Sequence, residues 1–118
     1  MRDYSLLLDA LVESDWKIVG VGAFLSAPET QSIVLRHDVD RRPHKAIAMA
    51  ELEAGRAVRS TYYFRVDIKG RFPDDSVRRI AEMGHEVGYH YETLSDCDGD
   101  KERALQLFKQ NLLRFREI

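Results

Sequence analysis

SIVLRHDVDRRPHKAIAMAELEAG, from Ser32 to Gly55, followed by STYYFRV, from Ser60 to Val66, is the stretch that decides the fold. Ser32 to Leu35 is a short apolar, β-branched run and reads as a strand, which then opens into the polar loop Arg36, His37, Asp38, Val39 and Asp40. Pro43 suits the first turn of a helix, where its missing N–H costs nothing. Ala46, Ile47, Ala50 and Leu52 then recur at helical spacing until Gly55 weakens the pattern. Thr61 to Val66 is aromatic and β-branched throughout, as in a strand covered on both faces of a parallel sheet. Strand, helix and strand in this order make a crossover unit, so the fold class is α/β, a parallel sheet with crossover helices.

The same alternation extends both ways. Leu7, Leu8, Leu11 and Val12 predict an opening helix, Trp16 to Val19 a short strand, and Gly20, Gly22 and Pro28 a loop or short helix. Downstream, Asp74 and Asp75 favour a helix start, and Val77, Ile80, Ala81 and Met83 supply its apolar face. Gly84 ends that helix in the left-handed conformation. Glu86 to Tyr91 predicts another strand and Thr93 to Asp100 a polar loop. Leu105, Phe108, Leu112 and Phe115 predict the buried stripe of a last helix. No repeat, low-complexity tract or linker divides the chain, which reads as one domain over 1–118.

Composition narrows the function classes. With 118 residues, 44% hydrophobic and 32% charged, the chain is globular, and its apolar runs are too short to span a bilayer. A net charge of -2 offers no broad basic surface, which argues against nucleic acid as a partner. Met1 to Ser14 carries Asp3, Asp9 and Glu13 among its leucines and lacks the pattern of a secretory leader, so the expected location is cytoplasmic. Cys97, the one cysteine, lies in an acidic stretch expected to be exposed, with no cation placed to activate it.

Chemistry concentrates where strands deliver their C-terminal ends. Along extended chain alternate side chains share a face, so Asp38 and Asp40 point together, as do Glu86, His90 and Glu92 on the later strand. Carboxylates and an imidazole in one pocket suit a divalent ion, which offsets their repulsion and brings the pKa of a bound water near neutrality. Simpler readings stand beside this one: aspartates after a strand form turns, and a lone histidine is more often structural. His44 is expected to be solvated on a helix face, and His85 to cap a helix end through the turn at Gly84. Arg41, Arg42, Arg78 and Arg79 are expected on solvated faces.

LRHDVDRRPHKA (Leu35 to Ala46), STYYFRV (Ser60 to Val66) and GHEVGYHYE (Gly84 to Glu92) together resemble the polysaccharide deacetylase superfamily, of the NodB-like carbohydrate esterase type. The branch resembled carries His-Asp-Val-Asp in place of Thr-Phe-Asp-Asp. The resemblance implies the N-terminal half of a distorted (β/α) barrel of about seven strands, which at typical barrel sizes takes roughly 200 residues or more. It implies a metal-dependent hydrolase that removes acyl groups from an N-acetylated carbohydrate by amide C–N cleavage. Asp38 matches the catalytic base, Asp40 the metal-binding aspartate and His90 the first metal-binding histidine. The second histidine of the family motif would fall at Leu94, and Glu92 is the substitute ligand. The implied cofactor is a divalent ion, Zn²⁺ first, with Mn²⁺, Co²⁺, Fe²⁺ or Ni²⁺ compatible. The implied partners are a carbohydrate substrate and a second chain, as a homodimer or as one supplying the other half of the barrel. The alternative is a truncated, catalytically inactive homologue serving as a binding or structural module. A phosphoacceptor receiver domain of similar length is a remoter alternative, lacking a separate phosphoacceptor aspartate and a late strand-end lysine.

Overall fold

The computed structural model describes all residues, 1–118. Its elements run α1 (Arg2–Glu13), β1 (Lys17–Val19), α2 (Val21–Ser26), β2 (Ser32–Val34), β3 (Arg36–Val39), α3 (Pro43–Ala54), β4 (Thr61–Phe64), α4 (Asp74–Glu82), β5 (Glu86–Tyr89), α5 (Thr93–Asp96) and α6 (Lys101–Arg116). Every strand pairing is parallel: β1 with β2, β3 with β4, and β4 with β5. Between β2 and β3 only Leu35 intervenes, and it links the two sheets. Its N–H donates to the Val19 carbonyl at 3.0 Å, while its own carbonyl accepts from the Thr61 N–H at 3.0 Å. Strand neighbours therefore follow chain order, β1, β2/β3, β4, β5, with a helix between most of them.

This differs from the sequence reading at Arg36 to Val39, which forms strand rather than loop. The backbone of His37 and Asp38 pairs with Tyr62 and Tyr63, and a central partner strand outweighs the polar character of the side chains. At the other end Thr93–Asp96 forms a single helical turn inside the expected loop.

The core lies on one face of the β3–β4–β5 sheet. Val39, Tyr62 and Phe64 meet Ala46 and Ala50 of α3, Val77 and Ile80 of α4, and Phe115 of α6 in one buried cluster. Val87 and Tyr89 pack at its margin. The small residues Ala46 and Ala50 let α3 approach the sheet closely, and α4 ends at Gly84, whose φ of +96° is the left-handed cap expected there. The opposite face carries Arg36, Asp38, Tyr63, Gly88 and His90, none of them buried. On this face Thr61 is buried beneath Val21 and Glu86 and Tyr63 is half-buried, so β4 is covered on both faces at its start and opens at Tyr63. Gly88 is required there because a Cβ would stand 2.7 Å from the Tyr63 ring.

In α6 the inward stripe is Ala104, Asn111 and Phe115, whereas Leu105, expected inside, is 54% exposed. Asn111 takes the buried position because it satisfies two polar partners described below. The chain has 8044 Å² of accessible surface, against about 6,600 Å² for a monomer of its mass. Its radius of gyration is 15.7 Å, against about 13.5 Å for a compact domain of this length. No helix is long and apolar enough to cross a membrane.

Candidate functional site at the strand ends

β3 and β5 flank β4, so their backbones lie about 10 Å apart. Side chains from both nevertheless meet over the open face. His90, just beyond β5, brings its Nε2 to 3.6 Å from Asp38 Oδ2. The His90 N–H is anchored by the Phe64 carbonyl at 2.7 Å, which fixes where the imidazole starts. Asp38 Oδ1 also accepts from Arg36 at 2.5 Å, and the Arg36 guanidinium lies 4.4 Å from the Tyr63 ring centre. His90 Nδ1 is enclosed by protein and has no hydrogen-bond partner.

Asp40 and Glu92 are brought together by a different group. Arg65, at the end of β4, donates to Asp40 Oδ1 at 2.5 Å and pairs with Glu92 through its other nitrogen. Asp38 and His90 thus form one pair, and Asp40, Arg65 and Glu92 form another. No three carboxylate, imidazole or thiolate groups lie close enough together to hold one metal ion. Two ligands of a tetrahedral ion with bonds of about 2.0–2.2 Å stand roughly 3.3–3.6 Å apart. The Asp38–His90 separation fits that geometry better than it fits a hydrogen bond. Asp40 and Glu92 have the right chemistry as further ligands but each would have to leave Arg65.

The strand ends open into a cleft of about 1030 Å³. Asp40, Arg65, His90 and Glu92 at the strand ends line it together with Asn111 and Arg114 of α6 and the rings of Phe72 and Tyr89.

A second polar cluster lies beneath the sheet at the start of the strands, and its centre has no periodic signature in the sequence. Glu53 is 0% exposed. Its Oε1 accepts from the Tyr4 hydroxyl and from His37 Nε2 at 2.6 Å, and its Oε2 accepts from the Ser60 and Tyr62 hydroxyls, the latter at 3.0 Å. Burial pushes the Glu53 carboxyl up, but hydrogen bonds from His37, Ser60 and Tyr4 outweigh it and hold the group below the usual carboxylate range. The tyrosines respond oppositely: burial and the Glu53 charge raise both Tyr4 and Tyr62. Glu53 follows Leu52 in an apparent apolar stripe, and only the four hydroxyl and imidazole donors, scattered from Tyr4 to Tyr62, reveal it as an inward position.

His85 belongs to this cluster and does not cap its own helix. It is buried, its Nε2–H donates to the Ala50 carbonyl at 3.0 Å and its Nδ1 accepts from the Ser60 N–H at 3.2 Å, so the ring ties α3 to the start of β4. Glu86 plays a similar part on the open face. Its carboxylate accepts from the Gly22 and Ala23 N–H groups at 2.7 and 2.9 Å and from the Thr61 hydroxyl at 2.7 Å. Burial raises this carboxyl, but those three donors bring it below its ordinary value. Gly20 is needed beside it, since a Cβ there would stand 2.7 Å from the Glu86 carboxyl carbon. Cys97, expected to be exposed, is 7% exposed, held beneath the turn that α5 makes. His44, Arg41, Arg42, Arg78 and Arg79 are solvent-exposed. Compared with protein-family models, with curated proteins and with solved structures, the chain matches none.

Proposed function

We propose that the open sheet face carries the first part of a metal-dependent site that hydrolyses the acyl amide of an N-acylated carbohydrate, set on the inner wall of a partial (β/α) barrel. The observation that carries this reading is the convergence of Asp38 and His90 from two strands that are not neighbours, at 3.6 Å. Parallel strands in chain order, with the apolar cluster on one face and only the short α2 against the other, support the barrel wall, because a doubly wound sheet would carry crossover helices on both faces.

A divalent ion at this point supplies Lewis-acid polarisation of the carbonyl and an acidified water. Zn²⁺ suits the imidazole and carboxylate donors, and Mn²⁺, Co²⁺, Fe²⁺ and Ni²⁺ share them. His90 and one aspartate would hold such an ion, and the other aspartate would be placed to take a proton from water. Distance to His90 favours Asp38 as the ligand and leaves Asp40 as the base, the reverse of the roles that the family resemblance implies. Glu92 completes the ligand set once Arg65 is displaced. The test is acetate release from N-acetylated glucosamine oligomers with added Zn²⁺, Co²⁺ or Mn²⁺. Release by the wild type that falls at least a hundredfold in Asp38→Asn and His90→Ala supports the reading, and release unchanged by either substitution refutes it.

One observation favours the non-catalytic reading. Arg65 already neutralises Asp40 and Glu92, so the carboxylates have a cation without any metal. A chain that binds carbohydrate without hydrolysing it would keep that arrangement. On either reading a second copy, or another chain, covers the open face, which accounts for the excess accessible surface and for the unpaired edges of β1 and β5. A monomer in sedimentation at high concentration counts against this.

A further inference from the structure

The α6 side of the cleft differs from the strand side in one respect: its cation is unpaired. Arg65 and Arg71 each hold a carboxylate within 3.5 Å, whereas neither Arg114 nor Arg41 forms an ion pair. Arg114 is instead aimed by an amide. Asn111, 1% exposed, accepts from the Arg114 guanidinium with its Oδ1 and donates from Nδ2 to the Tyr89 hydroxyl at 2.9 Å. The guanidinium is thereby held 6.0 Å from the centre of the Phe72 ring, within the cleft. Tyr89 accepts in its only hydrogen bond, so its O–H remains free to donate. The corner presents a planar guanidinium and a hydroxyl donor beside an aromatic ring, with Arg41 elsewhere in the lining. Asp96, also in the lining, forms no ion pair. Both ends of the buried Asn111 amide are satisfied, so it holds Arg114 and Tyr89 in fixed positions relative to each other.

We infer that this corner is an oxyanion subsite, and that the ligand of the cleft is an anionic sugar, phosphorylated or carboxylated, whose charged group meets Arg114 and the Tyr89 hydroxyl, with the Arg41 charge elsewhere in the lining adding to the attraction. The subsite stands on the cleft alone; its assignment to the substrate of the hydrolysis rests on the function proposed above. The charged group lies towards α6 and the acyl group towards His90, the member of the Asp38–His90 pair that lines the cleft, so the cleft imposes one direction on the ligand.

Calorimetric titration of the intact protein with inorganic phosphate, glucose phosphate, glucuronate and neutral glucose tests this. The sugar phosphate or the sugar carboxylate binds at least tenfold more tightly than glucose, and which of the two is tighter identifies the source of the charge. Arg41→Gln combined with Arg114→Gln weakens that binding by tenfold or more, while Arg78→Gln, outside the cleft, leaves it unchanged, with melting curves confirming that all variants are folded. His90→Ala keeps phosphate binding even where it abolishes metal binding, so failure of the hydrolase reading and failure of the subsite are separable. Equal binding of charged and neutral sugars, or equal loss in Arg78→Gln, overturns the inference.

Discussion

Glu53→Gln keeps the shape of the buried side chain and removes one acceptor oxygen and the charge. In the native protein two donors address each carboxylate oxygen: Tyr4 and His37 on one, Ser60 and Tyr62 on the other. A glutamine offers acceptor capacity on one side only, so two donors lose their partner whichever way the amide is placed. Each unsatisfied buried donor costs about 1–3 kcal/mol, less where it reaches solvent. Tyr4 and His37 are partly exposed, so the amide nitrogen turns to their side and the net loss is about 2–4 kcal/mol. At roughly 2.1 cal/mol/K per residue, a chain of 118 residues loses about 4 °C of Tm per kcal/mol, or about 8–16 °C in all. The pH dependence gives a second reading of the same bond network. The Glu53 pKa is lower folded than unfolded, so its stabilisation is fully present above the ordinary glutamate value of about 4.3 and is lost as pH falls through the lower native value. Wild type and variant, melted by circular dichroism from pH 7 to pH 3, therefore converge only on acidification below about pH 4.3. A gap under about 2 °C at pH 7, or one that stays constant down to pH 3, refutes the buried network.

Gly88→Ala forces the Tyr63 ring off the strand and costs about 1–3 kcal/mol by denaturant unfolding, with loss of the Arg36 contact visible as a changed tyrosine spectrum. An unchanged midpoint means that the ring does not lie over Gly88. Arg65→Gln removes the guanidinium that competes for Asp40 and Glu92, so divalent ions bind more tightly by isothermal titration, by roughly tenfold or more. Weaker or unchanged affinity means that Glu92 is not a ligand.

Much of the architecture was legible because periodicity and punctuation agree. Thr61 to Phe64 has no competing helical reading, and Pro43 and Gly84 mark the ends of two helices through backbone restrictions that tertiary context rarely overrides. Errors arose where pairing or a polar partner decided the outcome. His37 and Asp38 read as loop because both are polar, yet the ladder to β4 holds them extended. Leu105, expected inside α6, is exposed, and Asn111 takes a buried place because it finds Tyr89 and Arg114, which lie far away in sequence or one turn on. At the site, strand parity places Asp38 and Asp40 on one face, but parity carries no information about which of them His90 reaches, or that Arg65 comes between Asp40 and Glu92. Glu53 was illegible for a related reason: a carboxylate becomes an inward residue only when four donors converge, and the nearest of these in sequence is seven positions away.

Metal content and affinity bear most directly on the proposed site. Purified protein would be analysed for bound metal and titrated with Zn²⁺, alongside Asp38→Ala, His90→Ala and Asp40→Ala. About one ion per chain in the wild type, lost in Asp38→Ala and His90→Ala and retained in Asp40→Ala, is the predicted result. A wild type that binds no divalent ion, or binding that survives loss of both Asp38 and His90, contradicts the metal-dependent hydrolase.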